Sequence, residues 1–265
     1  MTDKEIILEY IRGNSCGILN LCWADLNAMY LPNVNLSGAN LSYANLAGVN
    51  FNGANLQNVK LVGANLVGAK LSGANLCGAD LSGADLTKAN LTKAKLVNTK
   101  LTGAELSKAN LKQANLIEAN LISANLAYAI LVGANLPRAD LSFSNLSFSD
   151  LSSANLSGSY LLEATLFGAK LLGADFSNAD LSESNLSKAN LTQTNLSDAN
   201  MTKVVLTNSI FFNTNLIGTI LKGSNIMNIA HSEEEKLENI TIPTPTKVAR
   251  IPIIKLNVAN VGLYS

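Results

Sequence analysis

The side chains able to do acid–base, nucleophilic or metal chemistry are few in this 265-residue chain, and their spacing does not assemble them. His231 is the single histidine, so neither a histidine-based triad nor a multi-histidine metal site can be built. Cys16, Cys22 and Cys77 are odd in number and lack a Cys-x-x-Cys spacing, which implies no disulfide framework and no zinc site. The Asp and Glu residues are scattered, and sequence pairs none of them as acid and base. Many Asn-Leu-Ser and Asn-Leu-Thr triplets match the glycosylation acceptor, yet a repeat generates them automatically. The opening Met1-Thr2-Asp3-Lys4-Glu5 is acidic where a signal peptide is basic, and no long apolar run follows. The expectation is a cytoplasmic, soluble, non-enzymatic protein with no cofactor, no metal and no membrane association.

What must position any functional side chain is a repeat. A large apolar residue falls at every fifth position from Leu21, Leu26, Leu31 and Leu36 to Leu216, Leu221 and Ile226, with Phe51, Phe176, Phe211 and Met201 as the replacements. About forty units follow one another without insertion or deletion. Two residues earlier sits a small side chain, as in Ala39, Ala44, Ala54 and Ala64, replaced by Ser144, Ser149, Thr194, Thr214, Val49 or Val59. A period of five fits neither the 3.6 of a helix nor the 2.0 of a flat strand, so the chain must turn once per unit. Two residues of each unit point inward and three outward, and four units close a square coil around four central Leu side chains. The small position follows, because a closed coil has no volume for a second large side chain and overpacking is costly.

Two residues after the centre, Gly recurs at Gly38, Gly48, Gly53 and Gly63, with Asn58, Asn98 and Asn178 in the same slot. Gly and Asn tolerate the positive φ of a type II turn. Lys88, Lys93, Glu118 and Phe143 also take this slot, and the expectation there is a different turn type. Just before the centre, Asn dominates. At twenty residues per coil, Asn35, Asn55, Asn75, Asn115, Asn135, Asn155, Asn195 and Asn215 fall in one column, able to hydrogen-bond between coils and interrupted by Lys95 and Asp175.

The units Ala-Asn-Leu-Ser-Gly, Ala-Asp-Leu-Ser-Gly and Ala-Asn-Leu-Thr-Lys resemble the A(N/D)LXX signature of the pentapeptide-repeat family over about residues 21 to 228. The resemblance implies an all-β fold, a right-handed quadrilateral parallel β-helix, with short helical caps. At ~4.8 Å per coil and roughly ten coils, the rod is on the order of 50 Å long. The expected organisation is a helical cap over 1–20, the β-helix over 21–228, and a C-terminal short helix and extended tail over 229–265.

An open β-helix exposes ladder edges at both ends. Thr2 with Glu5 forms a capping box ahead of Ile6, Ile7, Tyr10 and Ile11, predicting a helix from Asp3 to Arg12 that stops at Gly13. The run Leu8-Glu9-Tyr10-Ile11-Arg12-Gly13 resembles the leader of cyanobacterial pentapeptide-repeat proteins. Ser232 and Glu235 suggest a second capping box, followed by a tail punctuated by Pro243, Pro245 and Pro252. That tail either folds back over Val205, Ile210, Phe212, Ile217, Ile220 and Met227 or serves as a docking segment.

With the interior committed to packing, recognition is left to the outward positions. Tyr128 and Phe148 share a corner slot in adjacent coils, Phe143 lies in the coil of Phe148 on a neighbouring face, and Ile122, Leu162 and Phe167 also point outward. Such a patch marks a protein-interaction site, or these residues shield one another or meet a second copy. Lys88, Lys93, Lys95, Lys100, Lys108 and Lys112 form a belt that either meets phosphates or an acidic partner or is a solvated face diluted by Asp85 and Glu105.

The functional expectation is a structural or protein-interaction scaffold, regulatory in a bacterium, working as a monomer or weak homodimer with a protein partner not identified by sequence. The alternative implied by the family is a mimic of duplex DNA that modulates DNA gyrase. That mechanism needs a long acidic surface, whereas the formal net charge is zero and the position before each central Leu is mostly neutral Asn, so nucleic-acid mimicry and nucleic-acid binding rank below the scaffold.

Overall fold

The structure, a computed structural model, describes residues 2–13 and 18–231. Parallel bridges join residue i to residue i+20 without a break from Asn20↔Asn40 to Val205↔Asn225, so each coil is four pentapeptide units long. A short parallel pair, β1 (Ile210–Phe211) and β2 (Ala230–His231), continues the same register. The core stacks the four central side chains of each coil along the rod, and Leu36, Leu56, Leu76 and Leu116 of one column are fully buried. Phe51 and Phe176 fill the central position without exposure.

The unit from Asn55 to Val59 shows why five residues suffice. Asn55 N–H donates to the preceding coil at Val34 O (2.8 Å), and Leu56 and Asn58 donate to the following coil at Asn75 O (2.7 Å) and Cys77 O (3.0 Å). Val59 N–H closes the turn on Leu56 O (3.2 Å). The remaining amide, Gln57, donates to the side-chain Oδ1 of Asn55 (3.3 Å). All five N–H groups are thereby satisfied, four by backbone and one by the residue before the centre. This is why Asn or Asp is favoured there: either offers a carbonyl or carboxylate oxygen two residues back from an otherwise unpaired amide.

The same Asn residues also pair between coils. Asn55 Nδ2 donates to Asn35 Oδ1 (2.9 Å), Asn155 to Asn135 (3.1 Å) and Asn215 to Asn195 (2.9 Å). Lys95 interrupts this ladder on both sides. Asp175 interrupts it on one side only, since a carboxylate cannot donate to Asn155 but accepts from Asn195 Nδ2 at 2.9 Å.

The turns depart from expectation at the corners without Gly. Every corner residue from Trp23 to Asn228 has positive φ, including Lys88 (59°), Lys93 (57°), Glu118 (56°) and Phe143 (61°). One backbone conformation therefore serves all these corners, and at nearly all of them the central residue's C=O accepts from the N–H three residues on. The coil-to-coil ladder fixes φ before the side chain can choose, and a non-Gly residue bears a local cost of about 1 kcal/mol or more.

Where Ser or Thr replaces the small inward Ala, its hydroxyl bonds a turn carbonyl. Ser144 Oγ donates to Leu141 O (2.6 Å) within its own turn, and Thr194 Oγ1 to Leu171 O (2.8 Å) in the preceding coil. Ser184 Oγ is the exception among the described residues, buried without a partner.

Helix α1 (Asp3–Ile11) lies over the first coil and one residue short of the expected end. The capping box is formed: Glu5 N–H donates to Thr2 Oγ1 (3.3 Å) and Thr2 N–H to Glu5 Oε2 (2.7 Å). The Thr2 amide holds the Glu5 carboxyl below its ordinary pKa. Ile7 is fully buried against the coil, and Asp3 Oδ2 accepts the Asp25 N–H (3.0 Å), whose equivalents in later coils donate to a preceding coil. Cys16 and the expected C-terminal helix and tail beyond His231 lie outside the described residues.

Candidate functional site

The bridge register sorts outward residues into columns running along the rod. Corner residues lean toward the corner of the following coil. Tyr128 stacks on Phe148 with ring centroids 5.1 Å apart and planes 14° apart. Phe148 in turn covers Gly168, where a Cβ would lie 2.9 Å from the ring atoms Cδ1 and Cε1. Phe167, beside that glycine, meets Phe148 edge-on at 5.4 Å and 83°. Lys188 Nζ sits 5.2 Å from the Phe167 centroid, within cation–π range. Even stacked, Tyr128 and Phe148 remain 54% and 45% exposed, so mutual shielding covers only part of them.

The six residues expected to cluster divide between two corners. Tyr128, Phe148 and Phe167 form one contiguous group. Phe143, also exposed, stands at the preceding corner, where its N–H donates to Leu162 O (2.8 Å), and it joins no ring pair. Ile122 and Leu162 are half-buried on the face leading to that corner. A polar strip carrying Asn125 and Asn145 separates the two groups.

Two exposed features escaped the sequence reading. Trp23 stacks on Tyr43 (4.5 Å, 11°), and Tyr43 covers Gly63, repeating the Tyr128–Phe148–Gly168 arrangement one corner away and near the helical end. The twenty-residue spacing that revealed Tyr128 and Phe148 was equally present there. Exposed Ile130 and Leu172 lie on the face beyond the aromatic corner. Ile130 stands where other units carry the amide-capping Asn, a break in the repeat grammar that was open to inspection.

The lysine belt also divides. Lys88 and Lys108 share the corner column of Tyr128 and Phe148, and Lys93 and Lys112 lie across the adjoining face, whereas Lys95 and Lys100 belong to two of the three other faces. Asp85 and Glu105 stand on the face before the Lys88 corner and make no ion pair with it. Among the described residues the ion pairs are Arg12–Glu9 (2.6 Å), Arg138–Glu118 (2.8 Å) and Lys203–Glu183 (2.7 Å). The last raises the Lys203 pKa through the Glu183 hydrogen bond and charge.

Among the described residues, no group of three His, Cys, Asp or Glu side chains is placed to hold a metal ion. Cys22 and Cys77 are part-exposed free thiols on different faces. His231 is placed by its backbone alone, paired with Phe211. Among the described residues no helix is long and apolar enough to cross a membrane.

Comparison with known proteins follows the repeat. The family model for pentapeptide repeats matches in eight copies, spanning 20–58, 64–103, and then overlapping segments from 94 to 226. Among solved structures, the chain is similar to HetL, described as a pentapeptide repeat protein involved in heterocyst differentiation regulation from the cyanobacterium Nostoc sp. strain PCC 7120. The identity is 36%, over 87% of this chain and 94% of that one, with a TM-score of 0.42. It is also similar to QnrB1, a plasmid-mediated fluoroquinolone resistance protein, at 19% identity over 77% and 90% of the two chains and a TM-score of 0.48. Rfr23 from the cyanobacterium Cyanothece 51142 matches at 22% identity over 51% and 88%, with a TM-score of 0.33. No curated protein matches. Proteins of this kind fold as right-handed quadrilateral β-helices and serve in general as structural and interaction proteins. On its unbroken repeats and the family match, this chain belongs to the pentapeptide-repeat family.

Proposed function

We propose that this chain is a non-enzymatic protein-interaction scaffold that docks a partner on the aromatic corner formed by Tyr128, Phe148 and Phe167, with Phe143, Ile122 and Leu162 at the preceding corner as a second contact line. The observation that carries this reading is the exposed Tyr128–Phe148 stack, set at corners where Gly would fit without strain. Two large aromatics in a left-handed backbone conformation gain part of their cost back from each other, but a partner that buried them would add far more, since aromatics dominate interface energetics. A scaffold of this kind acts by what it holds, and its role in a cell would be regulatory. The gyrase-directed duplex mimic lacks its surface: Lys60 and Lys100 interrupt the column of Asp80 and Asp140, and Asn dominates the other columns before the central Leu.

The test is affinity purification from the native cell with the wild type and a Tyr128→Ser/Phe148→Ser variant, followed by reconstitution of any captured protein in purified form. The reading expects a partner whose binding to the variant falls at least tenfold. An identical partner set with unchanged affinity would remove the aromatic corner from the interface.

A further inference from the structure

The net charge of zero conceals a division of charge around the rod. The face that follows the aromatic corner, taken with its two bounding corners, carries Lys70, Lys88, Lys93, Lys108 and Lys112 toward the helical end, all exposed. Beyond the aromatic level the same strip carries Lys170 and Lys188, also exposed. Along its described length it holds one carboxylate, Asp150. None of these lysines forms an ion pair, and the carboxylates of the described chain are otherwise on the remaining three faces and the helix. Between the two groups of lysines lie Tyr128, Ile130 and Phe148, exposed by 54, 42 and 45%, and Leu172, 43% exposed, stands beside Lys170 in the same coil.

Ile130 adds an independent sign. In most units the residue before the centre accepts the N–H two residues on, as Asn125 does from Ala127 (3.1 Å) and Asp150 from Ser152 (3.1 Å). Ile130 cannot, and the N–H of Val132 makes no hydrogen bond within the described chain. Exposing a β-branched side chain there while giving up the amide cap has no advantage for the isolated coil.

We propose that this face binds the acidic surface of a partner protein, one with an apolar centre set between carboxylates. The inference rests on the aromatic corner being a docking surface and adds the chemistry of what docks. An apolar centre with a charged rim is the anatomy of a protein–protein interface. The lysines at both ends set the partner's charge, because carboxylates opposite them would be paired and like charges would be repelled. Lys70 to Lys188 spans six coil steps, on the order of 29 Å at ~4.8 Å each, a length suited to one protein contact. Single-stranded nucleic acid fits less well: the Tyr128 and Phe148 rings stack on each other, and Phe148 lies against Gly168, so no base can enter between them.

The test uses the full chain and a fluorescent synthetic peptide with a Leu/Phe centre and glutamates at both ends. Controls are the same peptide with lysines replacing the glutamates and a duplex DNA oligonucleotide. Lys88→Glu/Lys112→Glu reverses charge on the proposed face, and Lys60→Glu/Lys100→Glu makes the same change elsewhere. Glu118 and Glu163 already occupy corners of the Lys88 geometry, and Lys112 is exposed on the face, so the first variant should melt near the wild type. Expected is binding of the acidic peptide that weakens with salt and falls roughly tenfold or more in Lys88→Glu/Lys112→Glu, with little change in the control variant. No binding of the acidic peptide, equal loss in both variants, equal binding of the lysine peptide, or tighter binding of the duplex would each overturn the proposal. Tyr128→Ser/Phe148→Ser separates the two readings. If it abolishes peptide binding while charge reversal leaves binding intact, the docking corner survives and the acidic partner does not; if neither change matters, both fall.

Discussion

At each corner the ladder imposes positive φ, and the residue found there records what the position gains in return. Ser123 (φ 57°) bears the strain with no ring contact or ion pair, while Gly168 (φ 64°) has none of the strain and makes room for the Phe148 ring. The two positions therefore respond oppositely to exchange of a side chain. Ser123→Gly should raise stability by about 0.5–1 kcal/mol, the left-handed cost less the extra freedom of the unfolded chain. Gly168→Ala should lower it by about 1–2 kcal/mol, from acquired strain and displacement of the aromatic ring. Urea unfolding of both variants reads the signs directly. Equal shifts in the same direction would mean that corner conformation does not limit stability.

At the scale of the coil, the Asn columns connect neighbouring units by more than backbone. Where the column is unbroken, one Oδ1 can accept both its own local amide and the Nδ2 of the following coil, as Asn195 Oδ1 does from Ser197 N–H and Asn215 Nδ2. Lys95 removes three such bonds at once: one to Asn75, one from Asn115, and the local bond to Val97 N–H. Lys95→Asn should restore the ladder, raising stability by about 1 kcal/mol and slowing hydrogen exchange at Val97. Unchanged exchange at that amide would show that solvent already satisfies it equally well. The five-residue period made the coil, its core and these columns legible, because each follows from repetition of inward and outward positions. The corner geometry at Lys88, Glu118 and Phe143 was not legible: residue preference points away from positive φ, and only the bonds to the following coil override it. The candidate surface was half legible. Twenty-residue spacing joined Tyr128 to Phe148, but treating Phe143, Ile122 and Leu162 as the same patch ignored the face of Asn125 and Asn145 between the corners. Ile130 was passed over because it looked like one more apolar residue in an apolar chain, when its meaning lay in the Asn it replaced.

For the whole rod, the interior reads the sequence modulo five and the surface reads it modulo twenty. Insertions separate the two. Placing one neutral unit, Ala-Asn-Leu-Ser-Gly, after Gly133 keeps every central Leu inward but turns everything beyond it by one face. Phe143 would then follow Tyr128 in the aromatic corner column, so a stack of rings persists. Glu163, Glu183 and its ion-pair partner Lys203 would enter that column, while Asp150, Lys170 and Leu172 would leave the basic face. Inserting four units instead restores all columns and only lengthens the spacing by one coil. Both insertions should preserve the β-type circular dichroism and cooperative melting of the parent, since solenoid stability is a sum over neighbouring repeats. The single unit should nevertheless weaken capture of the acidic peptide by about threefold or more, because it places Glu163 next to the ring stack where Gly168 stood and removes Lys170 and Leu172, and the whole coil should cost much less. A one-residue insertion at the same place, which breaks the inward register itself, should lose the melt. If the five-residue insertion bound as well as the parent, recognition would not depend on which face a residue occupies, and the division of charge around the rod would have no bearing on what it holds.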